Sequence, residues 1–325
     1  MDIQWQANGM KQQEVITIGE SLVAFIPDSN TRLRYVQRFG KAVVGAESNV
    51  AVGLSKLGHT AAWISKVGAD EFGQYMIREI RAEGVDTSRV VICDTAPTAV
   101  MFKQFSSAGT SVFYYRSGSA ASTLKPGDMD WEFLGHAKIL HLSGITPALS
   151  PSCAKLVQEV FAFAKQQGIQ ISFDPNIRRK LWNERQAKDA LIPLVEQSDI
   201  VLLGEEEGLA LLGTADRKEI ARRLADKGVR RIGVKRGSAG SYVADANGGI
   251  DIPPYPVDVV DTVGAGDAFD AGFLAGLLEE SSIERCGKMG NLMGAMAVRS
   301  SGDTDGLPDR DEFDRLMDEI QEVQR

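Results

Sequence analysis

The sequence predicts an α/β fold: a three-layer domain with helices on both faces of a mostly parallel sheet, and a small β sheet projecting from it. Two observations carry this. From residue 138 onward, short β-branched runs alternate with amphipathic helical segments, the pattern of right-handed βαβ crossovers. In the N-terminal third, several strand-like runs follow one another with no crossover helix between them. With 325 residues, 43% apolar and 25% charged, the chain can form one large core with an excursion. Residues 1–325 are therefore expected to form a single domain, with the excursion built from about 22–44 and 97–121.

The elements follow in order. "EVITIGE" reads as the first core strand, and "RYVQRFGKAVVG" as a strand of the projecting layer. "AESNVAVGLSKLG" is a helix stopped by Gly58 at its C′ position, and "TAAWISKVG" returns as a strand. "TAVMFKQFSSAGTSVFYYR" reads as a hairpin with "SAGT" at the turn. Core strands then recur in "KILHLSGI", "IQISFDPN", "DIVLLGEEE" and "RRIGVKRG". Between them lie helices such as "PSCAKLVQEVFAFAKQQG" and "DRKEIARRLADKG", with apolar residues at three and four spacing. Ligands of such sheets gather outside the C-terminal strand ends, so the polar residues just after each run are the ones to inspect.

Composition removes several classes of function. The net charge is -8 with a pI near 5.1, and no run of lysine and arginine forms a phosphate-backbone footprint, which argues against nucleic acid. No apolar stretch approaches membrane-spanning length, and "MDIQWQANGMKQQ" lacks the basic and apolar regions of a signal peptide. The expectation is a cytoplasmic protein without a membrane partner whose first 13 residues are loose. Cys93, Cys153 and Cys286 lie far apart, and His59, His136 and His141 are dispersed, so neither disulfides nor a structural zinc site is expected. A metal should arrive with a substrate.

The stretch "VVDTVGAGDAFDAGFLAGLLEE", residues 259–280, carries the chemistry. An extended run entering a glycine turn that opens a helix aims backbone N–H groups outward and adds the positive end of the helix dipole, which makes an anion site. It lacks the Gly-Lys-Ser/Thr of a P-loop and the G-x-G-x-x-G of a dinucleotide fold. Asp267 is open to two readings. It is a first-turn carboxylate compensating the dipole, or, if the turn holds a phosphoryl group, a base that accepts the proton of an attacking hydroxyl.

"DTVGAGDAFDAGF" resembles the C-terminal signature of the ribokinase, or PfkB, family of sugar kinases, and "VGAESNVAVGLSKLGHTAAWISKVGADEFG" resembles its N-terminal signature. The motifs stand in the family's order about 200 residues apart, and the likeness runs from about Val15 to Pro308. Within the family the chain is most similar to the 2-keto-3-deoxygluconate kinases, on "YYRSGSAAST", "ISFDPNIRRKLW", "SSGDTDGLP" and "GAESNVA". The resemblance implies a ribokinase-like α/β/α domain whose excursion is a lid, and phosphorylation by ATP of the terminal hydroxyl of a sugar acid. A fructokinase or ribokinase-like activity is the alternative, and a binding module that kept the fold without catalysis is a third reading.

Carried over residue by residue, the resemblance makes Asp267 the general base and Gly264, Ala265 and Gly266 the phosphoryl-stabilising turn. Gly45 and Asn49 should hold sugar hydroxyls, Tyr114 and Arg116 should reach the sugar from the lid, and Arg178 should meet its acid end or the transferred phosphate. Arginine suits such a carboxylate because its planar fork binds bidentately, although Arg178 could equally pair with Asp174. For ATP the resemblance points to Lys235, Gly237, Gly240, Thr262, Gly264, Gly266 and Asn291, while a plain hairpin over "VKRGSAGSYV" needs no nucleotide. Mg2+ would come with ATP and be ordered through water by Glu207. K+ would be ordered by Asp258 and Asp261, which could also be strand-end residues with a structural role. A homodimer through the lid, or a higher homo-oligomer, is the implied assembly. Val44, Met101 and Gly204 depart from the family pattern, at positions often held by glycine, tyrosine and asparagine.

Overall fold

A computed structural model describes residues 13–106 and 109–323. Of the N-terminal segment expected to be loose, only Gln13 is described, and its Nε2 donates to Asp86 Oδ2 at 3.2 Å; residues 1–12 lie outside the described residues, as do two of the "SAGT" turn residues.

Along the chain, β1 (Val15–Ile18) enters the core, β2 (Leu22–Pro27) and β3 (Phe39–Val44) leave it, and α1 (Ala46–Lys56) returns to β4 (Ala61–Ile64). Then come β5 (Lys66–Gly68), α2 (Glu71–Ala82), β6 (Val91–Cys93) and the hairpin β7 (Val100–Ser106) and β8 (Gly109–Tyr115). Next are α3 (Trp131–Leu134), β9 (Ile139–Ser143), α4 (Thr146–Leu149), α5 (Pro151–Gln167), β10 (Gln170–Asp174), α6 (Glu184–Gln197), β11 (Ile200–Gly204), α7 (Glu205–Leu212), α8 (Arg217–Ala225) and β12 (Arg231–Lys235). The described chain closes with β13 (Ser241–Asp245), β14 (Gly248–Ile252), α9 (Ala265–Leu278), α10 (Ile283–Ala297) and α11 (Arg310–Val323).

The main sheet has eight strands in the order β14-β13-β12-β11-β10-β9-β1-β4, parallel from β12 to β4. Its central strands are buried on both faces, which is why they read as continuous apolar runs. Val15 belongs to a cluster with Trp63, Phe273 and Met293, while Ile16, one residue on, belongs to another with Leu140, Val157 and Phe161. Adjacent residues thus feed opposite layers of a three-layer α/β/α domain. The parallel pattern ends at "VKRGSAGSYV", where β12 and β13 pair antiparallel. "TAAWISKVG" divides at Ser65, β4 staying in the main sheet and β5 pairing with β6.

The projecting layer is a four-stranded sheet in the order β3-β2-β7-β8. In "RYVQRFGKAVVG" the strand starts only at Phe39, because Leu33–Tyr35 winds into a 3-10 turn. Ala24, Met101 and Tyr114 are cross-strand partners and so share one face. The other face is aromatic: Phe25 and Phe102 stack at 4.8 Å, with Phe39 and Tyr115 edge-on to Phe102 at 5.6 and 5.7 Å. Val44 pairs with Leu22 and packs in the apolar base of this sheet with Ala24, Ala99 and Met101, which accounts for two of the departures from the family pattern.

Helices α1 and α9 pack against each other through small residues. On α1, Gly53 faces Ala271 of α9 so closely that a Cβ added to it would stand 2.6 Å from the alanine methyl. Among the described residues no helix is long and apolar enough to cross a membrane.

Candidate active site

The glycine turn sits where the sequence places it. Gly264 takes φ +82 at the N-cap of α9, a left-handed conformation that suits glycine, and a Cβ there would meet Asp303 O at 2.6 Å. Before it, Asp261 Oδ1 accepts from Val263 N at 3.2 Å, and Val260 and Asp261 N–H both donate to Val298 O, tying the turn to the end of α10. Thr262 is exposed. Gly266 faces outward, and the atom nearest an added Cβ would be Lys235 Nζ, 3.5 Å away.

Asp267 lies in the first turn of α9 and is buried. Its Oδ2 accepts from Asn49 Nδ2 at 2.8 Å, and the same amide donates to Asp303 Oδ2 at 3.2 Å. Burial pushes the Asp267 carboxyl up to about 6; the Asn49 hydrogen bond opposes the rise, and Asp174 and Asp303 add to it. Among the described residues no side chain donates a hydrogen bond to Asp267 Oδ1. Asp303, absent from the sequence-based site, is also held above the ordinary carboxylate range by burial, while Lys103, Asn49 and Arg178 draw it down.

Asn49 is placed by the start of α1. Gly45 caps that helix in extended backbone, and any side chain there would crowd Glu20 O and Ser21 Cα at 2.7 and 2.8 Å. Glu20 follows β1 and forms a buried ion pair with Arg116 and a hydrogen bond from Ser119 Oγ at 3.2 Å. Arg116 therefore already faces a carboxylate, that of Glu20, and its Cζ lies 5.4 Å from the Tyr114 ring centroid. Lys180 Nζ approaches the same ring at 5.5 Å and donates to Val112 O at 2.9 Å. The Arg178 loop thereby touches the small sheet. Arg178 itself is exposed and makes no ion pair among the described residues, and it exerts its charge on Asp303.

Asp174 is spent elsewhere. Its Oδ2 and Asp270 Oδ1 receive the Lys235 ammonium at 2.9 and 3.0 Å, and its Oδ1 caps Asn176 N at 2.9 Å. Burial works against the Lys235 charge, but Asp174 and Asp270 more than offset it, and the ammonium is held well above its usual range. A fixed positive charge thus lies beneath the glycine turn. Glu207 uses both carboxylate oxygens on the backbone, taking Ile177 N and Gly204 N at 2.8 Å each. It closes the N-terminus of α7 and steadies the loop carrying Arg178, and burial pushes it up to about 7. Gly204 needs no side chain there because Glu207 supplies the cap.

Of the residues expected around a nucleotide, all but Gly264 line one cleft. A cleft of about 630 Å³ is lined by Lys235, Gly237, Gly240, Thr262, Ala265, Gly266 and Asn291, with Pro254, Tyr255, Val257, Phe269 and Val298 forming apolar walls. Asn291 Nδ2 is bonded to Ile252 O and Pro253 O at 3.2 and 2.8 Å, so its amide N–H groups are committed to backbone. Among the described residues no three carboxylate, histidine or cysteine groups converge as a metal site. With Glu207 occupied by backbone, this suits an ion ligated chiefly by phosphates and water.

Comparison with known proteins agrees with this geometry. A family model described as pfkB family carbohydrate kinase matches residues 12–310. The chain is 38% identical over 304 residues to 2-dehydro-3-deoxygluconokinase of Bacillus subtilis (strain 168), covering 92% of this chain and 94% of that protein. It is 33% identical to 2-dehydro-3-deoxygluconokinase of Thermoproteus tenax, covering 93% and 94% of the two chains. A crystal structure of a putative ribokinase II from E. coli in complex with ATP and Mg+2 superposes with a TM-score of 0.88 at 27% identity, over 94% of this chain and 99% of that one. The fold, the glycine turn with its buried aspartate, and these matches make the chain a member of the pfkB family of carbohydrate kinases.

Proposed function

We propose that this protein transfers the terminal phosphoryl group of ATP to the terminal hydroxyl of 2-keto-3-deoxygluconate, giving the 6-phosphate. The observation that carries the reading is Asp267: a buried carboxylate in the first turn of a helix behind a glycine turn, oriented by Asn49, beside an Asp303 that feels the charge of the exposed Arg178, with an apolar cleft alongside. In that arrangement Asp267 Oδ1 takes the hydroxyl proton while Oδ2 stays on Asn49, and the backbone N–H groups of the glycine turn, residues 264–266, face the charge that develops on the phosphoryl oxygens. Gly45, Asn49 and Tyr114 line the acceptor side, and Arg178 holds the sugar carboxylate. Mg2+ neutralises phosphate charge when bound with ATP.

Two features refine the reading. Arg116 is matched by Glu20, so Arg178 is the cation left free for an acid group. That pairing is also what favours the alternative, a fructokinase acting on a neutral sugar. Steady-state assays with 2-keto-3-deoxygluconate, fructose and ribose decide between them: the keto acid should have the highest kcat/KM, and a large preference for fructose would overturn the assignment.

The four-stranded sheet acts in this proposal as a lid. Its half-exposed Phe113 and its exposed Tyr115, on the face away from Asp267, suit a homodimer formed lid to lid. Asp261, expected to order a K+ ion, meets Val263 N with one carboxylate oxygen and the Lys103 ammonium with the other; replacement of K+ by tetramethylammonium in the assay would reveal any K+ dependence as lost rate.

A further inference from the structure

Lys103 is the most deeply buried charged side chain of the small sheet, 1% exposed. Strand alternation puts it on the face shared with Met101 and Tyr114, toward Asp267. A lysine is almost never buried this far unless its charge is met. Its Nζ lies 3.5 Å from Asp261 Oδ2 and 3.9 Å from Asp303 Oδ1, and among the described residues that Asp303 oxygen has no hydrogen bond.

Both carboxylates belong to the body of the domain. Asp261 organises the approach to the glycine turn through Val263 N. Asp303 shares the Asn49 amide with Asp267, and its backbone oxygen backs onto Gly264. An ammonium carried by one sheet is thus seated on two loops that build the reaction centre of the other. We propose that Lys103 is a positioning residue, a charge latch that fastens the small sheet over the acceptor site and, through Asp303 and Asn49, aligns Asp267 when the site closes.

The surroundings give the latch its force. Asp303 faces Lys103, Asn49, Asp261 and Arg178. Asp267 faces Asn49, Asp174, Asp303 and Lys235, with Glu47 also within electrostatic reach. Lys235 is bound to Asp174 and Asp270, and Arg178 is exposed to water. Lys103 is therefore the buried cation that separates Asp261 and Asp303, two like charges. With the small sheet raised, those carboxylates regain water, so the latch can open. A site that closes in this way keeps water from the phosphoryl group.

The inference rests on Asp267 as base, and its test is arranged to fail separately. Hydrogen exchange of β7 and β8 is followed in ligand-free wild type, Lys103→Met and Lys103→Arg, alongside kcat, KM and the ratio of ADP formed to acceptor phosphorylated. Lys103→Met should exchange at least about tenfold faster in both strands, lose about 10- to 100-fold in kcat and form ADP in excess of product. Lys103→Arg should restore all three toward wild type. Unchanged exchange with an ADP-to-product ratio of one overturns the latch, even if kcat falls. Should Lys103→Met not fold, Asp261→Asn, which removes one partner of the ammonium, takes its place; faster exchange in β7 and β8 supports the latch and wild-type exchange overturns it. Absence of keto-acid turnover in the wild type would count against the proposed function, while the exchange comparison would still decide the latch.

Discussion

Asn49 holds Asp267: one amide group on α1 donates to Asp267 Oδ2 at 2.8 Å and fixes which oxygen of the carboxylate is free. The same amide reaches Asp303, so the orientation of the Asp267 carboxyl and the placement of a second acid are set together.

Asp267→Asn should lower kcat by about 10²- to 10⁴-fold, the usual contribution of a positioned base, with ATP affinity retained. Calorimetric titration of ATP separates the two effects, and near-wild-type turnover would remove Asp267 from the base role.

The same substitution should stabilise the fold at neutral pH. Burial raises the folded carboxyl to about 6 from 3.8, so the folded state binds more protons than the unfolded state between these values, and stability falls as pH rises through that window. Removing the charge recovers that loss, on the order of 1–3 kcal/mol above pH 6 and little below pH 4. Melting temperatures of wild type and variant at pH 4.5 and 7.5 test the sign.

Activity should show an acid limb near pH 6, where Asp267 becomes protonated. Asn49→Ala removes a hydrogen bond that lowers the Asp267 pKa, so the limb should move to higher pH and kcat should fall. A pH–kcat/KM profile whose limb stays in place would show that Asn49 does not act on the base.

Arg178→Ala should raise KM for the sugar acid about tenfold or more and leave KM for ATP and the melting temperature nearly unchanged, because the side chain is exposed and unpaired. Lys235→Met should do the reverse to stability. It leaves Asp174 and Asp270 facing each other without their shared cation, at a cost of roughly 3–5 kcal/mol. Denaturant melts of the two variants give the contrast.

Much of this was legible in the sequence because it is local. The glycine turn, the helix behind it and the polar residues at strand ends announce themselves within a few positions, and six of the seven residues named for a nucleotide line one cleft. Pairings between distant elements were not legible. Glu20 and Arg116 stand almost a hundred residues apart and meet only when the small sheet folds over the end of β1. Lys235 was expected to face a nucleotide and lines the cleft beside the glycine turn, but its ammonium is committed to acids from β10 and α9. Asp303 sits in an irregular loop where no periodicity points inward. For Lys103 a signal existed: the alternation that buries Met101 must bury Lys103 with it, and a charge on the apolar face of a strand calls for a partner.

The contact between Gly53 and Ala271 has a practical side. Exchanging helix glycines for alanine is a common route to firmer proteins, worth about 0.4–1 kcal/mol where a methyl fits. Here Asn49 lies one turn before Gly53 and Asp267 one turn before Ala271, so the seam between these small residues gauges the distance between the Asp267 carboxyl and the amide that holds it. A methyl at Gly53 would wedge the helices apart and part that pair with them. An engineer seeking heat resistance in this enzyme does best to leave the single glycine of α1 as it stands.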